Sequence, residues 1–111
     1  MPQRNAFFAG GELLRSLVCQ LDEAQAEKIK SMYVSAALDD IFANGELMTA
    51  CLTLFENDLN VSLTASKLYM HRNTLIYGIN KIKRLSGLDL RKFSDAVTFA
   101  ALYALKTRDK R

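Results

Sequence analysis

The side chains best equipped for chemistry crowd into one stretch, His71-Arg72-Asn73-Thr74, with Tyr77, Asn80, Lys81 and Arg84 following at helical intervals and Lys67 just before. They supply hydrogen-bond donors and positive charge, so the chemistry open to them is recognition rather than catalysis. A guanidinium such as that of Arg72 can donate two parallel bonds to O6 and N7 of guanine, and an amide such as that of Asn73 can pair with N6 and N7 of adenine, at ~1–3 kcal/mol of discrimination each. Thr74, with the free N–H groups that open any helix, suits a phosphate oxygen. Lys67, Lys81 and Arg84 can hold the charged backbone on either side. His71 is the chain's one histidine; with no second metal ligand nearby it serves as a helix cap or a phosphate donor. Tyr77 either touches the same partner or lies over neighbouring side chains.

Charge agrees with a polyanionic partner. The net charge is +3, yet residues 1–58 hold four Lys or Arg against nine acids, a balance of −5, while residues 59–92 hold seven against Asp89 alone, a balance of +6. A basic block beside an acidic half is the footprint of a polyanion-binding surface, with a solvated charged face as the plainer alternative. An enzyme is not expected: a single His, no Gly-rich phosphate loop and no paired carboxylates on one face leave nothing to build a catalytic site from. Cys19 and Cys51 lie in apolar stretches without CxxC spacing, so plain buried or half-buried thiols are expected, with no metal site, cofactor or disulfide, in keeping with a reducing cytoplasm. The apolar run from Ala6 is closed by Glu12 and Arg15, and the longest apolar stretch, Ala96 to Leu105, falls far below the ~20 residues of a membrane span. A soluble, cytoplasmic protein without membrane contact is the expectation.

The elements that must position these residues are helices. A single Pro and sparse Gly leave little to interrupt them, and one all-α domain with a helical extension fits 111 residues. Leu13, Leu14, Leu17, Val18 and Leu21 predict a first helix after Gly10-Gly11. Asp22 caps a second from Glu23, with Ala26, Ile29 and Tyr33 inward. Residues 35–43 either continue it or turn, and Asn44-Gly45 breaks the pattern while offering a cap for Glu46–Asn57, whose face is Leu47, Ala50, Cys51, Leu54 and Phe55. Ser62 is read as the cap of a short helix with Ala65 and Leu68 inward, ending near Tyr69, and Met70 as the turn residue tucked into the core. From Arg72 a longer helix runs to Gly87, with Leu75, Ile79, Ile82 and Leu85 read as its buried stripe and Lys83 at the core's edge. A rotation of about 100° per residue then sends Asn73, Tyr77, Asn80, Lys81 and Arg84 outward. Ser94 is read as the cap of a last helix that closes the core through Val97, Ala100, Ala101 and Ala104, flanked by Phe99 and Tyr103. Two tandem helices, the second basic outward, followed by a packing helix, read as a helix-turn-helix from about Ser62 to Ser86.

The stretch from Leu54 to Tyr103 resembles the C-terminal domain of the PucR and CdaR (sugar-diacid regulator) families, bacterial activators with a Fis-like DNA-binding unit. The resemblance is carried by His71-Arg72-Asn73-Thr74-Leu75, by Phe55-Glu56-Asn57 and Asn60-Val61-Ser62 before it, and by Tyr77, Lys81-Ile82, Gly87-Leu88-Asp89-Leu90-Arg91 and Asp95-Ala96-Val97-Thr98-Phe99 after it. It implies sequence-specific binding to double-stranded DNA, usually as a homodimer, by the output end of a longer protein with an upstream sensory domain. On this reading residues 44–107 are the helix-turn-helix domain and residues 1–43 a helical extension serving dimerisation or linkage. Where this chain has Gly78, Leu63 and Ser66, the family usually has Arg, Glu and often Arg, so the reading unit is depleted in charge. The alternative is a degenerate helix-turn-helix that no longer binds DNA and serves as a dimerisation or protein-contact module.

Overall fold

The computed structural model describes residues 11–33 and 36–108; the apolar run from Ala6, Gly10 and Ser35 lie outside the described residues. Seven helices follow one another: α1 (Gly11–Cys19), α2 (Glu23–Tyr33), α3 (Ala36–Ala43), α4 (Gly45–Glu56), α5 (Val61–Lys67), α6 (Arg72–Ser86) and α7 (Phe93–Thr107), with no strand among the described residues. The all-α class and the helix-turn-helix, formed by α5 and α6, are as the spacing predicts. Residues 36–43 form a helix of their own.

Local chemistry explains most boundaries. Asp22 and Gln25 make a reciprocal capping pair: Gln25 N–H donates to Asp22 Oδ1 at 2.7 Å and Asp22 N–H to Gln25 Oε1 at 2.9 Å, satisfying two donors that a helix start leaves open. Asn44 Oδ1 accepts from Leu47 N–H at 3.0 Å and starts α4. Gly87, at φ 81°, supplies the left-handed residue that ends α6. Two predicted caps are corrected. The cap of α5 is Asn60, whose Oδ1 accepts from Leu63 N–H at 2.9 Å while Thr64 Oγ1 donates to its carbonyl at 2.7 Å; Asn60 is as good a cap as Ser62 and comes first. Helix α7 starts at Phe93, with Lys92 rather than Ser94 at the cap position and no side-chain cap bond.

The main core is centred on Phe99, fully buried on α7. Phe42 of α3 meets its ring edge-on at 5.2 Å and Phe55 of α4 at 6.1 Å. Leu38 and Ile41 from α3, Met48, Cys51 and Leu54 from α4, Ala65 from α5, and Leu75, Ile79 and Ile82 from α6 complete it. A smaller cluster joins Val18 of α1 and Ala26 of α2 to Ala104 and Leu105. Arg108 ties the same corner from the end of α7, donating to the carbonyls of Val18 at 3.1 Å and of Leu21, just past α1, at 2.8 Å.

Some expected core positions are exposed, the thiol of Cys19 at the end of α1 among them. Leu85 is 42% exposed, because ten steps of about 100° bring it about 80° away from Leu75 around the helix. Val97, also 42% exposed, and Leu13 and Leu17 border an open apolar groove between α1 and α7. Tyr33 is half exposed, since α2 buries Ala26 and only parts of Ile29 and Lys30.

The turn between α5 and α6 places Tyr69 at φ 54°, with its N–H donating to Ser66 O at 3.2 Å and Met70 N–H to Ala65 O at 3.0 Å. This is the paired C-terminal closure that glycine usually serves, here carried by a tyrosine 97% exposed. The left-handed region costs a side-chain-bearing residue about 1–2 kcal/mol. Tyr69→Gly is therefore expected to raise unfolding stability by about 1 kcal/mol, and Asn60→Ala to lower it by about 1 kcal/mol, both read by denaturant titration. A destabilised Tyr69→Gly would show that the ring contributes more than its backbone costs.

Candidate nucleic-acid interface

Burial of Leu75, Ile79 and Ile82 fixes the rotation of α6, and the residues left outside include the polar set singled out above. His71, Arg72, Asn73 and Thr74 are all exposed at its first turn; Tyr77, Asn80, Lys81 and Arg84 are exposed along its length, and Lys67 is exposed at the end of α5. The nine residues are thus brought to exposed positions on α5 and α6. Lys67, Lys81 and Arg84 have no ion pair among the described residues. His71 holds the cap position of α6, but its side chain makes no cap bond, so the imidazole stays available to a ligand. Its carbonyl accepts instead, from Thr74 and Leu75 N–H at 3.0 and 3.2 Å. The N–H groups of Arg72 and Asn73, the first of α6, point out of the helix start where an anion is favoured.

Two of these side chains are held in place by partners that spacing alone does not reveal. Arg72 Nε donates to Ser62 Oγ on α5 at 3.1 Å. Ser62 is therefore a brace for Arg72 rather than a cap, and the two terminal nitrogens of the guanidinium remain for a bidentate acceptor. Asn80 Oδ1 accepts from Arg91 Nη2 at 2.9 Å. With its oxygen engaged, the Asn80 amide faces a ligand as a donor.

Arg91 is positioned in turn by Asp89, which is buried in the connection between α6 and α7. Asp89 Oδ1 accepts from both the backbone N–H and Nε of Arg91 at 3.0 Å, and Lys83 Nζ lies 3.9 Å from Oδ2. Lys83 thus reaches over the core edge to an acid. Asp95, in the first turn of α7, accepts from Asp89 N–H at 3.0 Å. The Arg91 hydrogen bond, and with it the positive charges of Arg91 and Lys83, hold the Asp89 carboxyl below its ordinary range against the opposing effect of burial. One acid thereby links α6, the connection and α7, and sets Asn80.

Of the residues where the sequence departs from its apparent family, Leu63 and Ser66 are exposed on α5 and leave Lys67 as that helix's basic residue. Gly78 is half-buried on the flank of α6 beside Leu47 of α4. Among the described residues no three His, Cys, Asp or Glu side chains are grouped to hold a metal, and no helix is long and apolar enough to cross a membrane.

Comparison with known proteins places these features in a family. Residues 47–105 match the model of the PucR C-terminal helix-turn-helix domain. The chain is 36% identical to the uncharacterized protein YxkF of Bacillus subtilis over 76 residues, 68% of this chain and 25% of that protein. It is 32% identical to the carbohydrate diacid regulator of Escherichia coli over 96 residues, 86% of this chain and 24% of that one. The chain thus spans about a quarter of the length of these relatives. No solved structure matches it.

Because the depressed Asp89 pKa favours the folded form only while the carboxyl is ionised, its contribution is present above the unfolded-state value of about 3.9 and is lost as pH falls through the lower folded value. Asp89→Asn should be less stable than the parent near pH 7, and the gap should narrow toward about pH 3 in denaturant titrations. A gap unchanged across that range would place the stabilisation elsewhere.

Proposed function

Since this chain belongs to the PucR C-terminal helix-turn-helix family, we propose that it binds double-stranded DNA sequence-specifically, with α6 in the major groove, as the output domain of a longer bacterial transcriptional regulator. The observation that carries this reading is the outward face of α6, polar and basic apart from Tyr77 and the half-exposed Leu85, with Arg72 already braced by Ser62. Arg72 and Asn73 read base edges from the N-terminal turn of α6. His71 and Thr74 contact phosphate, Lys67, Lys81 and Arg84 hold the backbone on both sides, and Tyr77 and Asn80 extend the contact along the groove.

The domain acts as a homodimer in the cytoplasm, its two reading helices ~34–36 Å apart, one duplex turn. Residues 44–107 carry the DNA contact, and residues 1–43 serve dimerisation or connect to an upstream sensory domain. The reading is of a binding module and not a catalyst. The neutral residues Gly78, Leu63 and Ser66 favour a second reading, a dimerisation or protein-contact module without DNA affinity; the basic set around the braced Arg72 supports the first.

In a mobility-shift titration against duplexes selected from a random pool, affinity should fall steeply with salt, with a log–log slope of several units. Arg72→Ala should lose sequence preference, Ser62→Ala should lose part of it with the fold intact, and Lys81→Ala should lower affinity evenly across sequences. Absence of binding to any duplex at low salt would remove this reading in favour of the second. Sedimentation at tens of micromolar should return a dimer, and a monomer would leave two-fold pairing to the DNA or to upstream segments.

A further inference from the structure

The connection between α6 and α7 carries Arg91, an exposed base outside the set assigned to the reading face and yet bonded to it. Its guanidinium is committed on two sides: Nε donates to Asp89 Oδ1 at 3.0 Å and Nη2 to Asn80 Oδ1 at 2.9 Å. A guanidinium only donates, so the amide oxygen is the atom that must face it, and the Asn80 NH2 group is left for another acceptor. Among the described residues neither Asn80 Nδ2 nor Arg91 Nη1 has a partner. Each is one carbon removed from an end of the same 2.9 Å bond, so a single small anion can meet both.

Charge selects the kind of acceptor. Lys83 and Arg91 both approach the one carboxylate of Asp89, so the trio keeps one positive charge. The acid is its inner member, with a side chain 10% exposed against 54% for Lys83 and 36% for Arg91, so an approaching partner meets the cations. Acceptor oxygens bearing a single negative charge match this array. Base edges match it less well, because Asn80 stands eight residues past Arg72, about 12 Å along the axis, beyond the N-terminal turn that meets bases. Asn80 and Lys81 are about 100° apart around α6, on either side of the line through Asn73, Arg84 and Tyr77, so they face opposite walls of a groove that α6 enters. We propose that Asn80 and Arg91 form a phosphate clamp, Nδ2 and Nη1 donating to the free oxygens of one phosphodiester on the wall opposite Lys81. The clamp rests on the DNA-binding reading and adds to it a backbone contact from outside the reading helix, with Asp89 as its positioning residue.

The test uses the full chain and the selected duplex, prepared as a series in which one phosphate at a time is replaced by an uncharged methylphosphonate. For the parent protein, replacement at each contacted linkage should weaken binding about tenfold. In Arg91→Gln one of these linkages, repeated in each half-site, should lose its sensitivity. Asn80→Ala should desensitise the same linkage and Lys81→Ala a different one. Arg91→Gln should also make the log–log salt slope shallower by about 0.9, with base preference unchanged. Circular dichroism establishes that each variant is folded, and Asn80→Ala, which leaves the Arg91 bonds to Asp89 in place, decides the matter should Arg91→Gln not fold. Sensitivity kept at every linkage by either folded variant, different linkages for the two, or a base preference altered at one position would overturn the clamp while the DNA reading stands. Failure of the parent protein to bind any duplex would remove both.

Discussion

The two-sidedness of α6 is the constraint from which the rest of this structure follows. Leu75, Ile79 and Ile82 are buried against Leu54 and Phe99, each contributing about 1.5–3 kcal/mol relative to exposure. A helix pinned along one stripe cannot roll. Every polar residue set on the opposite arc is then presented outward without a further stabilising interaction of its own. The core is in this sense also the instrument of presentation, because a change of one residue in the phase of the apolar stripe would turn the outer face by about 100°.

Rotation fixes the face, and two short-range devices fix the side chains on it. Ser62 reaches from α5 to Arg72, and Asp89 acts through Arg91 on Asn80. Both supports come from segments adjoining α6: the helix before it and the connection after it. Side chains held this way lose less conformational freedom when they meet a partner. The supporting groups differ in kind: a hydroxyl on an exposed helix in one case, a buried and charge-stabilised carboxylate in the other. The second also joins α6 to α7, so its role in order extends beyond one amide.

Much of this was legible in the sequence where a residue's type and its neighbours within one turn decide the outcome. The caps at Asp22 and Asn44, the stop at Gly87, the buried Leu75, Ile79 and Ile82 and the outward arc of α6 all follow from local rules. Leu85 was misread because an apolar residue ten positions along a helix is well out of phase with the first. Ser62 was misread because Asn60 competes for the same role, and the winner depends on which residue the chain reaches before the helix begins. Val97, Leu13 and Leu17 illustrate a broader limit: periodicity marks an apolar face but not whether another element arrives to cover it. The Ser62–Arg72 and Asn80–Arg91 pairs join residues ten and eleven positions apart. No one-turn spacing rule reaches that far. The signal that could have found them is a small hydroxyl or amide facing a long cation across a tight turn.

Helix α5 is seven residues long and is bounded by Asp58, Leu59 and Tyr69, all with positive φ and none of them glycine. Short helices are marginal on their own, and here each flank adds backbone strain. The segment is therefore the readiest part of the helix-turn-helix to open locally while α4, α6 and α7 stay folded. Its amide protons would exchange with solvent through excursions that never unfold the domain. The brace on Arg72 comes from this same segment, so each such excursion releases the guanidinium, and a partner that holds α5 closed would rigidify the reading helix by supporting its neighbour.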